Sequence, residues 1–386
     1  MIHLPVLLIG ILLLVEISII FISNHSRFQK YFSIVPSLFW IYFIPMVLSS
    51  VGILDPKSPV FQLIITWALP PSLFLLLVTV DIRAILRLGR MSLLMFFVGS
   101  FGVMLGTVVV FSVMKNIVGT QFWSGFAALS GSWTGGSANM IAVKEALSTP
   151  DDVFSLMVIV DTIVPYAWMG ILIASLGWQG AFDRWNHASA NVFNQLGAQS
   201  QLSKVAGKIK ISSMVVVLCI AVIASCFSQF LSRSLPVIPN MISAFTWNII
   251  IISILGLTLS LTRLKRVEEY GSTKIGYFIL YFVLTAIGAK SSLVHIDKTL
   301  ILILSGVFIV AIHFCVLMVA ARFLKAPMFL VAVSSQANIG GVASAPIIAE
   351  IYQPGLSSVG LLLAILGNIV GTYIGILTGQ ICRFFI

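Results

Sequence analysis

Charged residues are scarce in this chain, and their scarcity excludes a soluble globular protein. Only 9% of the 386 residues are charged, whereas 59% are hydrophobic. Soluble domains carry about 25% charged residues, so this composition cannot give a water-compatible surface. A lipid bilayer is the solvent in which such a chain is stable, and we therefore predict an all-α integral membrane protein.

Other functional classes are excluded by motifs that the sequence does not contain. It has no Gly-x-x-x-x-Gly-Lys-[Ser/Thr] loop for ATP-driven pumping and no His-Glu-x-x-His zinc site. The formal charge of +10 does not indicate nucleic acid, because Lys and Arg lie in short gaps between apolar runs. We predict neither an enzyme nor a nucleic-acid-binding protein, and Na⁺ is the one cofactor that the sequence leaves open. The four cysteines have no metal-ligand spacing and are interpreted as free thiols: Cys219, Cys226, Cys315 and Cys382.

Twelve apolar segments divide the chain into two halves. Each has about 20 residues or more, enough to cross roughly 30 Å of hydrocarbon. Six precede and six follow a polar stretch, which predicts a first repeat at 1–176, a cytoplasmic linker at 177–210 and a second repeat at 211–386. The linker fits either an amphipathic surface helix, with Trp185, Val192, Phe193 and Leu196 at helical spacing, or a plain connection. The segments lie roughly at 2–23, 35–54, 59–80, 91–114, 121–148, 153–176, 211–232, 241–262, 275–291, 299–321, 326–352 and 357–381.

The fifth and eleventh segments each contain a polar, glycine-rich patch inside an apolar run. The patches read Ser130-Gly-Ser-Trp-Thr-Gly-Gly-Ser-Ala-Asn139 and Ser334-Ser-Gln-Ala-Asn-Ile-Gly-Gly-Val-Ala-Ser344. A shift of 205 residues pairs Gly135 with Gly340, Gly136 with Gly341 and Glu145 with Glu350. Because such pairs are rare in apolar sequence, we interpret the chain as an internal duplication.

The distribution of the 22 basic residues indicates how the two halves are related. If all twelve segments cross the membrane, Lys and Arg divide 13 to 9 between its sides. If the two interrupted segments form re-entrant hairpins, the division is 15 to 7, which fits the positive-inside rule better. Five crossings per half then predict inverted repeats in a bacterial inner membrane, with both termini extracytoplasmic. Interrupted helices that cross the membrane remain the alternative.

Paired helix breaks indicate a transport site near the middle of the membrane. Non-helical backbone at that depth survives only where it lines a watery cavity or is buried in protein. The helix that resumes after each break presents free N–H groups to an anion, whereas unwound carbonyls suit a cation or a polar solute. The competing interpretation is that the small residues only allow tight helix packing.

We therefore predict a secondary active transporter of a small polar or anionic solute, driven by Na⁺ or H⁺. A carboxylate, an amino acid and a short cell-wall peptide all fit as substrate, and a channel or membrane scaffold is the alternative function. The predicted substrate-binding residues are Ser132, Thr134, Gly135, Gly136, Ser137, Asn139, Ser335, Gln336, Asn338, Gly340, Gly341 and Ser344.

Asp161 lies in the middle of a spanning segment just after the first break. A carboxylate at such depth costs at least about 2.5 kcal/mol on insertion scales, which favours a functional partner. Asn368 occupies a similar place in the second half, so Asp161, Thr162 and Asn368 are predicted to couple the driving ion. We predict a Na⁺ site at Asp161, Asn139 and Asn338. The alternatives are a proton on Asp161 and a purely structural Asp161.

Two other ionisable residues in apolar segments receive structural interpretations. Glu16 either lines a cavity or forms hydrogen bonds at a helix interface, and we favour the interface. His313 is alone in its segment and is predicted to be a packed, hydrogen-bonded histidine.

At Gly131-Ser-Trp-Thr-Gly-Gly-Ser-Ala-Asn139 the sequence resembles the YjcL-like family of bacterial membrane proteins, a family of unknown function, and the resemblance covers nearly the whole chain. More distantly, the Gly-Gly breaks look like those of sodium–glutamate and sodium–citrate symporters. That resemblance implies inverted five-helix repeats with re-entrant elements, a transport unit, a second unit that forms a homodimer contact, and elevator-like motion. The glycine motif here is shorter, and no intramembrane Arg suited to a dicarboxylate is obvious. Neither citrate nor glutamate is therefore carried over as substrate.

Overall fold

The computed structural model describes residues 4–28, 31–32, 37–188, 211–238, 243–291 and 296–386, and within these ranges the regular structure is helical. Among the described residues, eight helices are long and apolar enough to cross a membrane. A ninth candidate is the bent pair Ala244–Ser260 and Arg263–Tyr270, whose two parts make an angle of 96°. The chain is an all-α integral membrane protein, as the composition predicts.

The helices follow the predicted segments closely. In the first half they are α1 (Pro5–Asn24), α2 (Ser37–Ser50), α3 (Pro59–Leu77), α4 (Ile82–Leu86), α5 (Arg90–Val118), α6 (Trp123–Gly135), α7 (Ser137–Ala146), α8 (Asp151–Ala174) and α9 (Gln179–Asn186). In the second half they are α10 (Ile211–Arg233), α11 (Ala244–Ser260), α12 (Ser272–Lys290), α13 (Thr299–Leu324), α14 (Met328–Ile339), α15 (Gly341–Tyr352) and α16 (Ser357–Arg383).

Helix starts follow local sequence signals. Pro59 lies in the first turn of α3, where its missing N–H costs nothing. Ser243 and Thr246 form a capping box at the start of α11, because each side chain bonds the other residue's backbone N–H. Asp81 caps α4 by accepting a hydrogen bond from the N–H of Ala84. These caps satisfy donors that the first helical turn leaves unpaired.

The order of helices repeats along the chain. A long helix, an interrupted pair and a second long helix make up α5–α8, and the same order returns in α13–α16. The second interrupted pair begins at Met328, 205 residues after the first begins at Trp123. The division into inverted repeats at 1–176 and 211–386 stays a prediction. Of the 177–210 linker, α9 is helical, whereas Val192, Phe193 and Leu196 lie outside the described residues.

Both interrupted segments fold back on themselves. A Cβ placed on Gly131 in α6 would lie 2.8 Å from Cγ2 of Val143 in α7, although residues twelve apart are separated by about 18 Å along a continuous helix. In the second segment, Nε2 of Gln336 donates to Oγ of Ser344 at 2.7 Å across the break at Gly340. We call α6–α7 the first hairpin and α14–α15 the second hairpin. This geometry favours re-entrant hairpins over interrupted helices that continue in one direction.

The helices group into two compact units, each built from parts of both halves of the chain. The first unit comprises Met1–Val80, Glu145–Thr162 and Ala206–Thr299. Within it α12 packs against α2 and α3. Tyr42 donates to Oγ of Ser291 at 2.7 Å, and the hydroxyls of Thr79 and Thr273 are 3.2 Å apart. These hydrogen bonds join helices of the first half to helices of the second.

The second unit comprises Asp81–Lys144, Ile163–Val205 and Leu300–Ile386, and it contains both hairpin tips. Its closest helix pair is α6 with α16. Small residues make this approach possible, because α16 has Gly367, Gly371 and Gly375 at four-residue spacing on the side that contacts α6. A Cβ on Gly375 would lie 2.9 Å from Cα of Gly131. These three glycines of α16 therefore allow the close approach of its backbone to α6.

Glu16 differs from the sequence-based expectation. Its side chain is completely buried in the first unit. Neither carboxylate oxygen, however, has a hydrogen-bond partner among the described residues. The prediction of a hydrogen-bonded glutamate at a helix interface is wrong in this respect, because long-range packing determines which groups surround a buried side chain.

The Gly371→Ala substitution is expected to destabilise the second unit. Its Cβ would lie 2.7 Å from Cα of Gly135 and 2.9 Å from the carbonyl oxygen of Gly131. Overpacking of this kind costs about 1–3 kcal/mol, so the melting temperature in detergent should fall. Gly170→Ala in α8 is the matched control, since nothing lies within 4 Å of its added methyl group. Equal melting temperatures for the two variants would contradict the close approach of α16 to α6.

Candidate functional site

The tips of the two hairpins meet inside the second unit. A Cβ on Gly341 would lie 4.0 Å from Cα of Gly136, and a Cβ on Gly136 would lie 3.7 Å from Oδ1 of Asn368 in α16. Gly136 has a φ of +81° and Gly341 a φ of +62°, values that L side chains rarely adopt. The two breaks thus bring Gly136, Gly341 and the amide of Asn368 together. A side chain on either glycine would reduce the space between them.

Four helix ends converge at these tips. α6 ends at Gly135 and α7 begins at Ser137, while α14 ends at Ile339 and α15 begins at Gly341. The first turns of α7 and α15 present N–H groups without intrahelical acceptors, and the last turns of α6 and α14 present carbonyls without intrahelical donors. Each tip therefore offers a positive and a negative helix end a few ångströms apart.

Asn139 attaches the first hairpin to α16 through hydrogen bonds. Its Oδ1 accepts hydrogen bonds from the N–H of Thr372 at 2.9 Å and from the Thr372 hydroxyl at 2.5 Å. Its Nδ2 donates to the carbonyl of Gly135 at 2.5 Å, across the tip. Between α6 and α16, the hydroxyls of Ser130 and Thr378 are 3.1 Å apart. Asn139 thus fixes the shape of the tip and its attachment to α16.

Asn338 attaches the second hairpin to α5 through hydrogen bonds. Its Oδ1 accepts from the Ser100 hydroxyl at 2.8 Å, and its Nδ2 donates to the carbonyls of Ser334 and Phe96 at 2.9 and 3.3 Å. The side chain is completely buried. Both asparagines proposed as Na⁺ ligands therefore already use their amide oxygens within the protein.

A second set of hydrogen bonds fixes Ser335 of the second hairpin. Its hydroxyl accepts from Nε1 of Trp168 in α8 at 2.9 Å and lies 3.0 Å from Nε2 of His313 in α13. Nδ1 of His313 is 2.8 Å from the carbonyl of Gly99, to which it must donate, so Nε2 of a neutral ring accepts the Ser335 proton. The prediction of a packed, hydrogen-bonded His313 is confirmed.

Four buried side-chain atoms of the hairpins have no hydrogen-bond partner within the part of the chain that the structure describes. They are Nε1 of Trp133, Oγ of Ser334 and two oxygens in the last turns of α6 and α14. One of these oxygens is Oγ1 of Thr134, in the last turn of α6, and the other is Oε1 of Gln336, in the last turn of α14. Both residues are completely buried. The Gln336 amide lies at its tip, because a Cβ on Gly340 would be 2.9 Å from its Cδ. Buried polar atoms normally have partners, so these two oxygens are available to a ligand.

The remaining predicted residues fall into distinct places. Ser132 is buried, and its carbonyl accepts the N–H of Gly136, whereas Ser137 is half-buried at the start of α7. Asp161 and Thr162 are half-buried in the part of α8 that belongs to the first unit. Thr162 donates to the carbonyl of Val158 at 2.8 Å. Of the predicted ion-coupling residues, Asn368 is the one that the second unit places at the tips.

Comparison with known proteins identifies the family of the chain. The family model described as a protein of unknown function, DUF819, matches residues 11–385. The chain belongs to the DUF819 family. The uncharacterized membrane protein YjcL of Bacillus subtilis (strain 168) is 26% identical over 346 residues, which cover 86% of this chain and 86% of that protein. The resemblance to a YjcL-like family of unknown function is thereby confirmed for this DUF819 protein.

Sequence reasoning missed the partners that hold the hairpins in this DUF819 protein. Ser100, Trp168 and Thr372 lie in ordinary apolar helices, and a single polar residue there carries no pattern. One signal was available, because the four-residue spacing of Gly367, Gly371 and Gly375 is typical of closely packed membrane helices. That spacing indicates a close helix contact but does not identify α6 as the partner.

The Asn139→Ala substitution is expected to loosen the first hairpin. It leaves the buried N–H and hydroxyl of Thr372 without their common acceptor, and an unsatisfied buried donor costs about 1–3 kcal/mol. The melting temperature should fall, and protease sensitivity within 131–139 should rise. Asn368→Ala is the comparison variant, because Asn368 is half-buried and its Oδ1 would lie 3.7 Å from a Cβ on Gly136. If Asn139→Ala unfolds no earlier than Asn368→Ala, Asn139 does not hold the hairpin.

Proposed function

We propose that this DUF819 protein is a secondary active transporter that moves a small polar or anionic solute, with Na⁺ or H⁺ as the driving ion. The observation that carries the proposal is the meeting of two opposed helix breaks, Gly136 and Gly341, within one compact unit. Paired breaks at equivalent places of two repeats are typical of secondary transporters, where they surround the substrate. The unpartnered oxygens of Thr134 and Gln336 support a ligand at the same place.

The division of the helices into two compact units supports separate roles for the two units. Both hairpin tips belong to the second unit, so we propose that this unit carries the substrate. We propose that the first unit forms a homodimer contact and that the repeats are inverted, with both termini extracytoplasmic in a bacterial inner membrane. This arrangement fits elevator-like motion, in which the unit that binds the solute moves as one body.

A channel or a membrane scaffold is the alternative function. A channel needs a continuous polar lining along its path. In the second unit, the polar side chains of the hairpins converge at two tips and are flanked by apolar turns. We therefore favour alternating access to a closed site. The sequence contains no ATP-binding motif, and we propose no enzymatic activity.

The tips are expected to be required for transport. In liposomes screened for solute uptake with and without Na⁺ and proton gradients, Asn368→Ala should reduce uptake about ten-fold or more, because the loss of one polar ligand contact costs roughly 1–2 kcal/mol. Gly136→Ala should act in the same direction by adding a methyl group beside Asn368. Gly170→Ala serves as the control that should transport like the parent protein. Normal uptake by Asn368→Ala and Gly136→Ala, with normal insertion, would exclude the tips as the site.

Asp161 is proposed to couple the driving ion to the solute. With a proton as the ion, Asp161→Asn removes the titrating group, so solute counterflow should persist while accumulation against a gradient is lost. With Na⁺ as the ion, the same substitution should strongly reduce the dependence of uptake on Na⁺. Counterflow and gradient-driven uptake, each measured over ranges of pH and Na⁺, distinguish the two. Uphill transport by Asp161→Asn that equals the parent's, with the same ion dependence, would refute the coupling role.

A further inference from the structure

The segments that form the two hairpin tips contain no charged side chain. Residues 129–143, 334–346 and 364–372 contain no Asp, Glu, Lys or Arg, and all of them belong to the second unit. A ligand with a net charge would therefore find no counter-ion in these segments. Burial of an unpaired charge is strongly unfavourable, so the lining favours a ligand whose charges cancel.

The helix ends provide both signs of partial charge at short range. The N-terminal turns of α7 and α15 attract a carboxylate, and the C-terminal turns of α6 and α14 attract a cationic group. Since each hairpin places one end of each sign at the same tip, opposite charges of the ligand must be only a few ångströms apart. A carboxylate and an ammonium on one carbon meet this requirement.

The two unpartnered oxygens indicate where the cationic group lies. Oε1 of Gln336 is buried at the second tip, and the Nε2 of the same amide is held by Ser344 in the first turn of α15. Oγ1 of Thr134 is buried in the last turn of α6. An ammonium donates three hydrogen bonds and accepts none, so amide, hydroxyl and helix-end carbonyl oxygens match it.

We infer that the hairpin tips bind the zwitterion of a 2-amino acid. Its carboxylate accepts hydrogen bonds from the N–H groups at the starts of α7 and α15. Its ammonium donates hydrogen bonds to the side-chain oxygens of Gln336 and Thr134 and to the carbonyls at the ends of α6 and α14. The two tips are not in hard contact, since a Cβ on Gly136 or Gly341 would meet its nearest neighbour at 3.7 or 4.0 Å. The inference rests on the proposed function, because it names the substrate class of the same site.

The experiment measures binding to the purified full-length protein without any gradient. Each of the proteinogenic amino acids is titrated by calorimetry, and the tightest binder is compared with its 2-hydroxy acid and its decarboxylated amine. Loss of either charged hydrogen-bonded group should weaken binding about ten-fold or more. The inference is overturned if the hydroxy acid or the amine binds as tightly. It is also overturned if the hydroxy acid binds tightly in Na⁺ but not in choline, since a metal cation would then occupy the ammonium position.

Thr134→Val tests the assignment of the ammonium without disturbing the fold. Because Oγ1 has no partner in the described protein, its removal should leave the melting temperature unchanged while amino-acid binding weakens several-fold or more. Thr134→Ser should restore binding. Thr378→Val is the matched control, because its hydroxyl bonds Ser130 and the carbonyl of Ile374, so it should lower stability without changing ligand preference. Unchanged binding by Thr134→Val would remove Thr134 from the site.

The outcomes separate this inference from the proposed function. If amino acids bind but no solute moves under any gradient, the zwitterion site stands and the transport proposal fails. If no amino acid binds while the liposome screen identifies another transported solute, the zwitterion inference fails and transport stands. If no amino acid binds and no solute moves, both fail.

Discussion

Backbone groups that a helix leaves unpaired are the constraint around which the second unit is organised. A membrane gives them no water to bond, so every break in a helix must be satisfied by protein or by a ligand. At the hairpin tips, Asn139 satisfies the carbonyl of Gly135, and the N–H of Gly136 bonds the carbonyl of Ser132. The first turns of α7 and α15 keep N–H groups without intrahelical acceptors, and small and polar residues lie in these turns.

Each hairpin is held by helices from the other half of the chain. The first hairpin bonds α16 through Asn139, and the second bonds α5 and α8 through Asn338 and Ser335. Glycines in α16 bring its backbone against α6, so these hydrogen bonds form at close range. These contacts between the two halves of the chain join the two tips in one unit, although the tips lie about 200 residues apart in sequence. Two segments of similar sequence are thus brought together in one unit.

The interrupted helices were predictable from sequence because glycine pairs are rare in apolar segments and recur at a fixed shift. The same patterns located the membrane helices, since their length and hydropathy depend on the bilayer alone. The roles of individual polar residues were less predictable. Asn139 and Asn338 were interpreted as ligands, but their partners Thr372 and Ser100 lie 233 and 238 residues away in sequence. Glu16 lacks the hydrogen bonds expected of it for the same reason, because long-range packing determines what surrounds a side chain.

We propose that the hairpin tips form a ligand site to which access alternates between the two sides of the membrane. Ala343, exposed in the first turn of α15, reports on this directly when changed to cysteine in a chain whose native cysteines are replaced. Its reaction with a membrane-impermeant maleimide should be measured in right-side-out and inverted vesicles, with and without gradients of Na⁺ and protons. The account predicts labelling from both sides, with the balance shifted by the driving ion. Labelling from one side only, whatever the gradient, would contradict it.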